Sequence, residues 1–275
     1  MAINSPKAIT EGYMQASIGK ATAPASKLFV LGIGAGMLIG LGAVVSSTAA
    51  SGLDNAAMVR LVSGLLFPVG LIMVIMLGTE LFTGNALMVT AAIHGDITWG
   101  QLLRNWVIVY VGNFVGAVAL AALMAFFGQM NIGAGHLAVY SASVAASKCS
   151  LPWQNAFVLG IFCNALVCVA VYMGNTSQET SGKIMGIFVP IMTFVCCGFE
   201  HCVANMYYIP AGIFANMNAA YSGLVAQAGI NTAVLNFGTF FTANLIPVTL
   251  GNIVGGALVG LMMYFAHADR KKKNQ

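Results

Sequence analysis

Residues 28–51 run through leucine, valine, isoleucine, alanine and glycine without one charged side chain. A helix needs roughly 20 mainly apolar residues to cross the hydrocarbon core of a bilayer, and this run is long enough. Comparable runs follow at 61–93, 106–127, 155–173, 184–214 and 240–265, which predicts six spans. Composition agrees: 59% of the residues are hydrophobic and 7% are charged, with a mean hydropathy of +0.87. An ordinary soluble domain carries roughly 25% charged residues, and seven acids with eleven bases cannot cover one. The expected class is therefore an all-α membrane protein forming one transmembrane domain. Residues 1–27 would make a polar N-terminal amphipathic helix, 28–266 the six-span core and 267–275 a basic tail. No apolar signal segment precedes the first span, so none is expected to be removed.

Charge placement sets the expected orientation. Six spans put both termini on one side, which then holds Lys7, Lys20, Lys27, Arg104, Lys183 and the tail residues Arg270, Lys271, Lys272 and Lys273. The other side holds Arg60 and Lys148. Cytoplasmic loops carry the excess of Lys and Arg, so both termini are expected in the cytoplasm. The net charge of +4 gathers in a short tail and makes no basic face, which excludes nucleic-acid binding as a main role. Of the six cysteines, Cys163, Cys168, Cys196, Cys197 and Cys202 lie in apolar stretches without a CxxC pair, and are read as small buried hydrophobes. Neither a metal nor a cofactor is expected.

The second and fifth spans are interrupted, and the interruptions match. Residues 78–85 read GTELFTGN and 198–205 read GFEHCVAN, sharing G-x-E-x-x-x-x-N. The third and sixth spans match too: Asn105, Gly112, Asn113, Val115 and Gly116 correspond to Asn244, Gly251, Asn252, Val254 and Gly255. Leu31-Gly32-Ile33 and Leu159-Gly160-Ile161 align the first and fourth spans. The chain thus reads as two halves of three spans. An odd number of spans inverts the second half, which is the inverted-repeat plan of many transporters.

An ionisable side chain inside a membrane segment is a functional hypothesis by default, and irregular backbone at that depth must be buried in protein or line a cavity. Glu80 and Glu200 occupy the two interruptions. Two roles are open to each: accepting hydrogen bonds from backbone amides freed by the break, which is favoured, or touching a substrate. Asn85 and Asn205 close the same motif and are assigned with the glutamates to stabilising the break. His201 stands where the first half has Leu81, so the two breaks differ at the residue type that titrates near neutral pH. Apolar residues around the breaks, Phe67, Leu71, Leu81, Phe82, Val167 and Phe194, suit narrow constrictions that exclude water; ordinary helix packing would use the same residues.

At GTELFTGN, NWVIVYVGN, GFEHCVANMYYIPAG and NLIPVTLGNIVGG the sequence resembles the formate/nitrite transporter family, across about residues 5–266. The resemblance implies an aquaporin-like fold and a homopentamer with one pore per protomer. It further implies passage of formate, nitrite or hydrosulfide. By motif, His201 matches the family's central pore histidine, Thr83 its threonine in the broken second helix and Asn164 its fourth-helix asparagine. Phe67, Leu71, Leu81, Phe82, Val167 and Phe194 match its constriction residues. Lys148 resembles a lysine that draws anions in, Lys20 resembles one at the end of the N-terminal helix, a segment associated with pH-dependent gating, and both are assigned to attracting anions. That helix is also readable directly, with Ser5 as N-cap and Pro6 as first residue. Glu80 departs conservatively from the Asp of some formate channels.

The expected function is passive, pH-dependent transport of a small monovalent anion of a weak acid across the cell membrane, formate foremost. Hydrosulfide or nitrite passage and proton–anion symport are the alternatives. Thr83 and Asn164 would supply hydrogen bonds to the passing anion and to the imidazole, while His201 donates a hydrogen bond or its proton. An intramembrane enzyme using Glu200 and His201 is a distant rival, since adjacent helical residues point about 100° apart and no nucleophile motif accompanies them. A receptor or scaffold would need no polar residues in the breaks. No GxxxxGK[ST] is present to bind ATP.

Overall fold

The computed structural model describes residues 3–269; Arg270, Lys271, Lys272 and Lys273 of the expected tail lie outside them. The first helix, α1 (Pro6–Thr22), starts where Ser5 accepts a hydrogen bond from Ala8 N at 3.2 Å, as its cap position requires. The first span is α2 (Ala25–Ala50). The second is α3 (Ala56–Leu66) and α4 (Val69–Met76), separated at Phe67-Pro68. After the break come α5 (Phe82–Asn85), a 3₁₀ turn at Ala86–Met88 and α6 (Val89–His94). The third span, α7 (Trp99–Phe126), opens on a capping box between Thr98 and Gln101.

The second half repeats this order. It runs through α8 (His136–Cys149), α9 (Trp153–Gly174), α10 (Thr180–Cys197), α11 (Cys202–Met217), α12 (Ala219–Gln227), α13 (Phe237–Thr239), a π-helical stretch at Phe240–Leu245 and α14 (Ile246–His267). Six helical stretches among the described residues are long and apolar enough to cross a membrane. The fold is the expected one: six spans, broken second and fifth, in two inverted halves.

Helix α8 has no counterpart in the sequence reading. It mirrors α1: each precedes a membrane helix capped by a proline, Pro24 or Pro152, with nearly identical backbone angles (φ −56°, ψ 142°). Each also carries a lysine in its last turn, Lys20 or Lys148.

Two close helix pairs form the frame. α2 lies along α7, and α9 along α14, and glycines set both contacts. A Cβ on Gly116 would run into Ile33 O, and one on Gly255 into Ile161 O. Small residues let membrane helices approach this closely, where dispersion acts across the whole contact.

The breaks are shorter than expected. Helix resumes at Phe82 and Cys202 rather than beyond Asn85 and Asn205, so both asparagines sit within helical turns. Each preceding helix stops at a glycine in the left-handed region, Gly78 (φ 64°) and Gly198 (φ 71°), a conformation an L side chain resists. The segments after the breaks are enclosed by the other helices: residues 80–92 and 200–207 are all buried. Irregular backbone is thereby wrapped in protein.

Candidate permeation site

The broken backbone is held by asparagines that the sequence reading had noticed only as repeat matches. Asn113 Oδ1 accepts from Phe82 N at 3.0 Å, while its Nδ2 donates to Gly32 O (2.8 Å) and Glu80 O (2.9 Å). Asn252 repeats every bond: Cys202 N at 2.9 Å, Gly160 O at 2.8 Å and Glu200 O at 2.9 Å. Glu80 N and Glu200 N donate to Leu31 O and Leu159 O, both at 3.3 Å. The amides of Glu80, Phe82, Glu200 and Cys202 are therefore satisfied by Asn113, Asn252 and carbonyls of the first and fourth spans. This corrects the role expected of the glutamate side chains.

Those side chains instead bind lysine and asparagine. Lys20 Nζ donates to Glu80 Oε1 (2.8 Å) and Asn85 Oδ1 (2.9 Å); Asn85 Nδ2 donates to Glu80 Oε2 (2.7 Å) and Asn105 Oδ1 (2.8 Å). In the other half Lys148 Nζ donates to Glu200 Oε1 at 2.8 Å. Asn205 Nδ2 bonds Glu200 Oε2 and Asn244 Oδ1, each at 2.7 Å. Glu80 and Glu200 are 7% and 4% exposed, and a buried carboxylate needs such partners. Each lysine is thus the counterion of a break glutamate.

Between the breaks lies a thin space of about 180 Å³, too narrow to seat a water molecule, lined by Ile39, Phe67, Leu71, Leu81, Val167, Ile191, Phe194 and His201. The Phe67 and Phe194 rings meet edge-on, centroids 5.7 Å apart. The repeat pairs most of this lining: Ile39 with Val167, Leu71 with Ile191, Leu81 with His201. Only the last pair exchanges an apolar side chain for a polar one. Ile39 and Ile191 were missed because buried aliphatic residues abound in every span; their signal is being the repeat mates of Val167 and Leu71. Phe82, expected in a constriction, does not border this space. Its ring packs edge-on against Tyr110 (4.8 Å) and Trp106 (6.0 Å).

His201 is 3% exposed and caps α11, with Ala204 N donating to its Nδ1 at 3.2 Å. A backbone N–H only donates, so Nδ1 is the acceptor nitrogen and the neutral ring carries its hydrogen on Nε2. Nε2–H then donates to Thr83 Oγ1, 2.9 Å away, which frees the threonine hydroxyl hydrogen for another acceptor. Forming an imidazolium would place a second proton on Nδ1, against the Ala204 N–H.

Asn164 sits beside this pair without joining it. Its Nδ2 donates to Thr83 O (3.1 Å) and Asn252 O (2.6 Å), tying the first break to the sixth span. The hydrogen bond to the imidazole expected of Asn164 is replaced by these two carbonyl contacts. The α1 helix touches the same region, as Tyr13 OH donates to Gly84 O at 2.8 Å.

The comparisons agree with this architecture. Residues 7–266 match the family described as formate/nitrite transporter. The chain is 43% identical over 235 residues to the formate channel FocA of Haemophilus influenzae, covering 84% of this chain and 82% of the relative. It is 37% identical over 264 residues to formate channel FocA of Escherichia coli K12, covering 94% and 93%. A solved structure described as a pentameric formate channel with formate bound superposes with a TM-score of 0.79 at 35% identity, over 88% of this chain and 96% of that one. Two inverted halves meeting at paired helix breaks, matched over nearly their whole length, make this chain a member of the formate/nitrite transporter family.

Proposed function

We propose that the protein is a passive, pH-dependent channel for small monovalent anions of weak acids in the cell membrane, with formate its main substrate. The carrying observation is the His201–Thr83 pair, the one polar feature among the apolar repeat pairs of the slit. An anion entering such a slit would lose its hydration at a cost of several kcal/mol or more unless a donor replaces it. By donating Nε2–H to Thr83 Oγ1, His201 leaves the Thr83 hydroxyl hydrogen as a neutral donor at that place, and Asn164 fixes Thr83 from behind. Phe67, Leu71, Leu81, Val167 and Phe194 keep the slit closed to water, so hydrogen bonding there is strengthened by low dielectric.

The substrate follows the names of the relatives, which are formate channels. A homopentamer follows the solved relative, described as pentameric, and one path per protomer follows the slit, which is lined by residues of a single chain. Cytoplasmic termini follow the Lys and Arg bias. The Ala204 N–H on Nδ1 favours hydrogen-bond donation by a neutral His201 over transfer of its proton.

Uptake into proteoliposomes, with internal pH recorded, tests this reading for formate, nitrite and hydrosulfide. Wild-type vesicles should take up formate far faster than empty ones. His201→Asn, which keeps a donor, should retain an intermediate rate from pH 5 to 8, whereas His201→Phe should lose most of it. Uptake no faster than in empty vesicles refutes the channel. Equal rates for His201→Phe and wild type refute the role given to the histidine.

A further inference from the structure

Arg60 is the second basic residue on the Lys148 side of the chain, and the site above leaves it without a role. On α3 it stands with Gly64 and Phe67 at i, i+4 and i+7, a spacing that places all three on one helix face. The exposed apolar residues of that helix, Met58, Leu61 and Leu65, occupy the opposite face. Across from it, α10 carries Ile191 and Phe194, and Gly198 follows, at i, i+3 and i+7. Phe67 and Phe194 both line the slit and touch each other. The two stripes therefore lead away from the slit to Arg60 on one side and Gly198 on the other.

There they meet again. The guanidinium lies against the Gly198 turn, such that a Cβ on that glycine would fall 2.9 Å from Arg60 Cζ. The Arg60 carbonyl accepts from Cys196 Sγ at 3.6 Å, which joins the helix backbone to the end of α10. Among the described residues no carboxylate forms an ion pair with Arg60, and the side chain is exposed. Lys148 differs on both counts: it is bound to Glu200 and its side chain is 18% exposed. The cation on this side whose charge is not matched locally is thus Arg60.

We infer that Arg60 collects the anion at this mouth. A guanidinium presents a planar fork suited to a small carboxylate or a similar monovalent oxyanion. Held against the Gly198 turn, it would hand the anion to the Phe67–Phe194 end of the slit. Gly198 serves twice, since its left-handed backbone ends α10 and its missing side chain leaves the guanidinium its seat. The inference rests on the channel reading and adds to it the residue that recruits substrate.

The test is formate uptake into vesicles of defined protein orientation, for Arg60→Gln and Arg60→Lys, at ionic strengths from about 0.02 to 0.5 M, across which charge screening becomes nearly complete. A unit charge about 7 Å from the entering anion in water-like surroundings gives about a threefold effect. Arg60→Gln should raise half-saturating formate by about that factor at low salt when formate is offered on the Arg60 face. The difference should vanish at high salt, have less effect on the saturating rate, and be restored in part by Arg60→Lys. Unchanged half-saturation and unchanged salt dependence in Arg60→Gln overturn the inference while wild-type conduction leaves the channel reading standing. A loss confined to the saturating rate also overturns it, marking Arg60 as a brace for the Gly198 turn. Absence of wild-type formate flux removes the channel reading and this inference together.

Discussion

Replacing Lys148 by methionine separates the two roles open to this lysine. Glu200 is 4% exposed and takes its Oε1 hydrogen bond from Lys148 at 2.8 Å, with Asn205 and Asn244 on Oε2. Lys148→Met leaves that carboxylate charged, enclosed and short of its cation. Removing one partner of a buried pair costs about 3–5 kcal/mol, because the remaining charge is uncompensated. For a chain of this size that corresponds to a fall in melting temperature on the order of 10 °C. Adding Glu200→Gln to Lys148→Met removes the stranded charge and should recover a large part of the loss. Lys20→Met should follow the same pattern with a smaller drop, since the Lys20–Glu80 side chains are 24% and 10% exposed against 18% and 6% for the second pair. The assay is thermal unfolding of the purified protein in detergent, run as a double-mutant cycle. A melting temperature within about 2 °C of wild type for Lys148→Met, against the several degrees that loss implies, would refute the counterion role. The same holds for a double variant no more stable than the single one.

Two further outcomes follow from the break and the frame. Asn252→Ala removes three hydrogen bonds and leaves Cys202 N uncapped, so it should lower stability by about 2–4 kcal/mol and reduce flux, with Asn113→Ala doing the same in the first half; Asn252→Asp should not rescue it, because the carbonyls of Gly160 and Glu200 need a donor. Gly255→Ala drives a methyl into Ile161 O, so the yield of monodisperse protein in size-exclusion chromatography should collapse, whereas Gly223→Ala, with open space around it, should leave it unchanged.

The sequence alone determined what is local or periodic. Six apolar runs fix six spans, because a bilayer permits few other ways to satisfy the backbone. The repeated G-x-E-x-x-x-x-N places both breaks, and the exchange of Leu81 for His201 marks the asymmetric position within them. Three helices per half dictate the inversion. Helix α8 stayed hidden because His136–Cys149 is neither long nor apolar enough to register as a span, although Lys148 in its last turn was noticed.

Tertiary structure decided the partners. Lys20 meets Glu80 across 60 residues and Lys148 meets Glu200 across 52, and no periodicity carries that information. The lysines therefore read as free cations in the sequence and as counterions in the fold. Asn113 and Asn252 were visible as a repeat, but that they cap the breaks follows only once the third and sixth spans lie beside them. Phe82 and Leu81 are neighbours in sequence, yet one packs against α7 and the other lines the slit, since Leu81 is the extended residue that caps α5 and Phe82 the first of its helical turn, and only the surrounding helices settle which direction is the path.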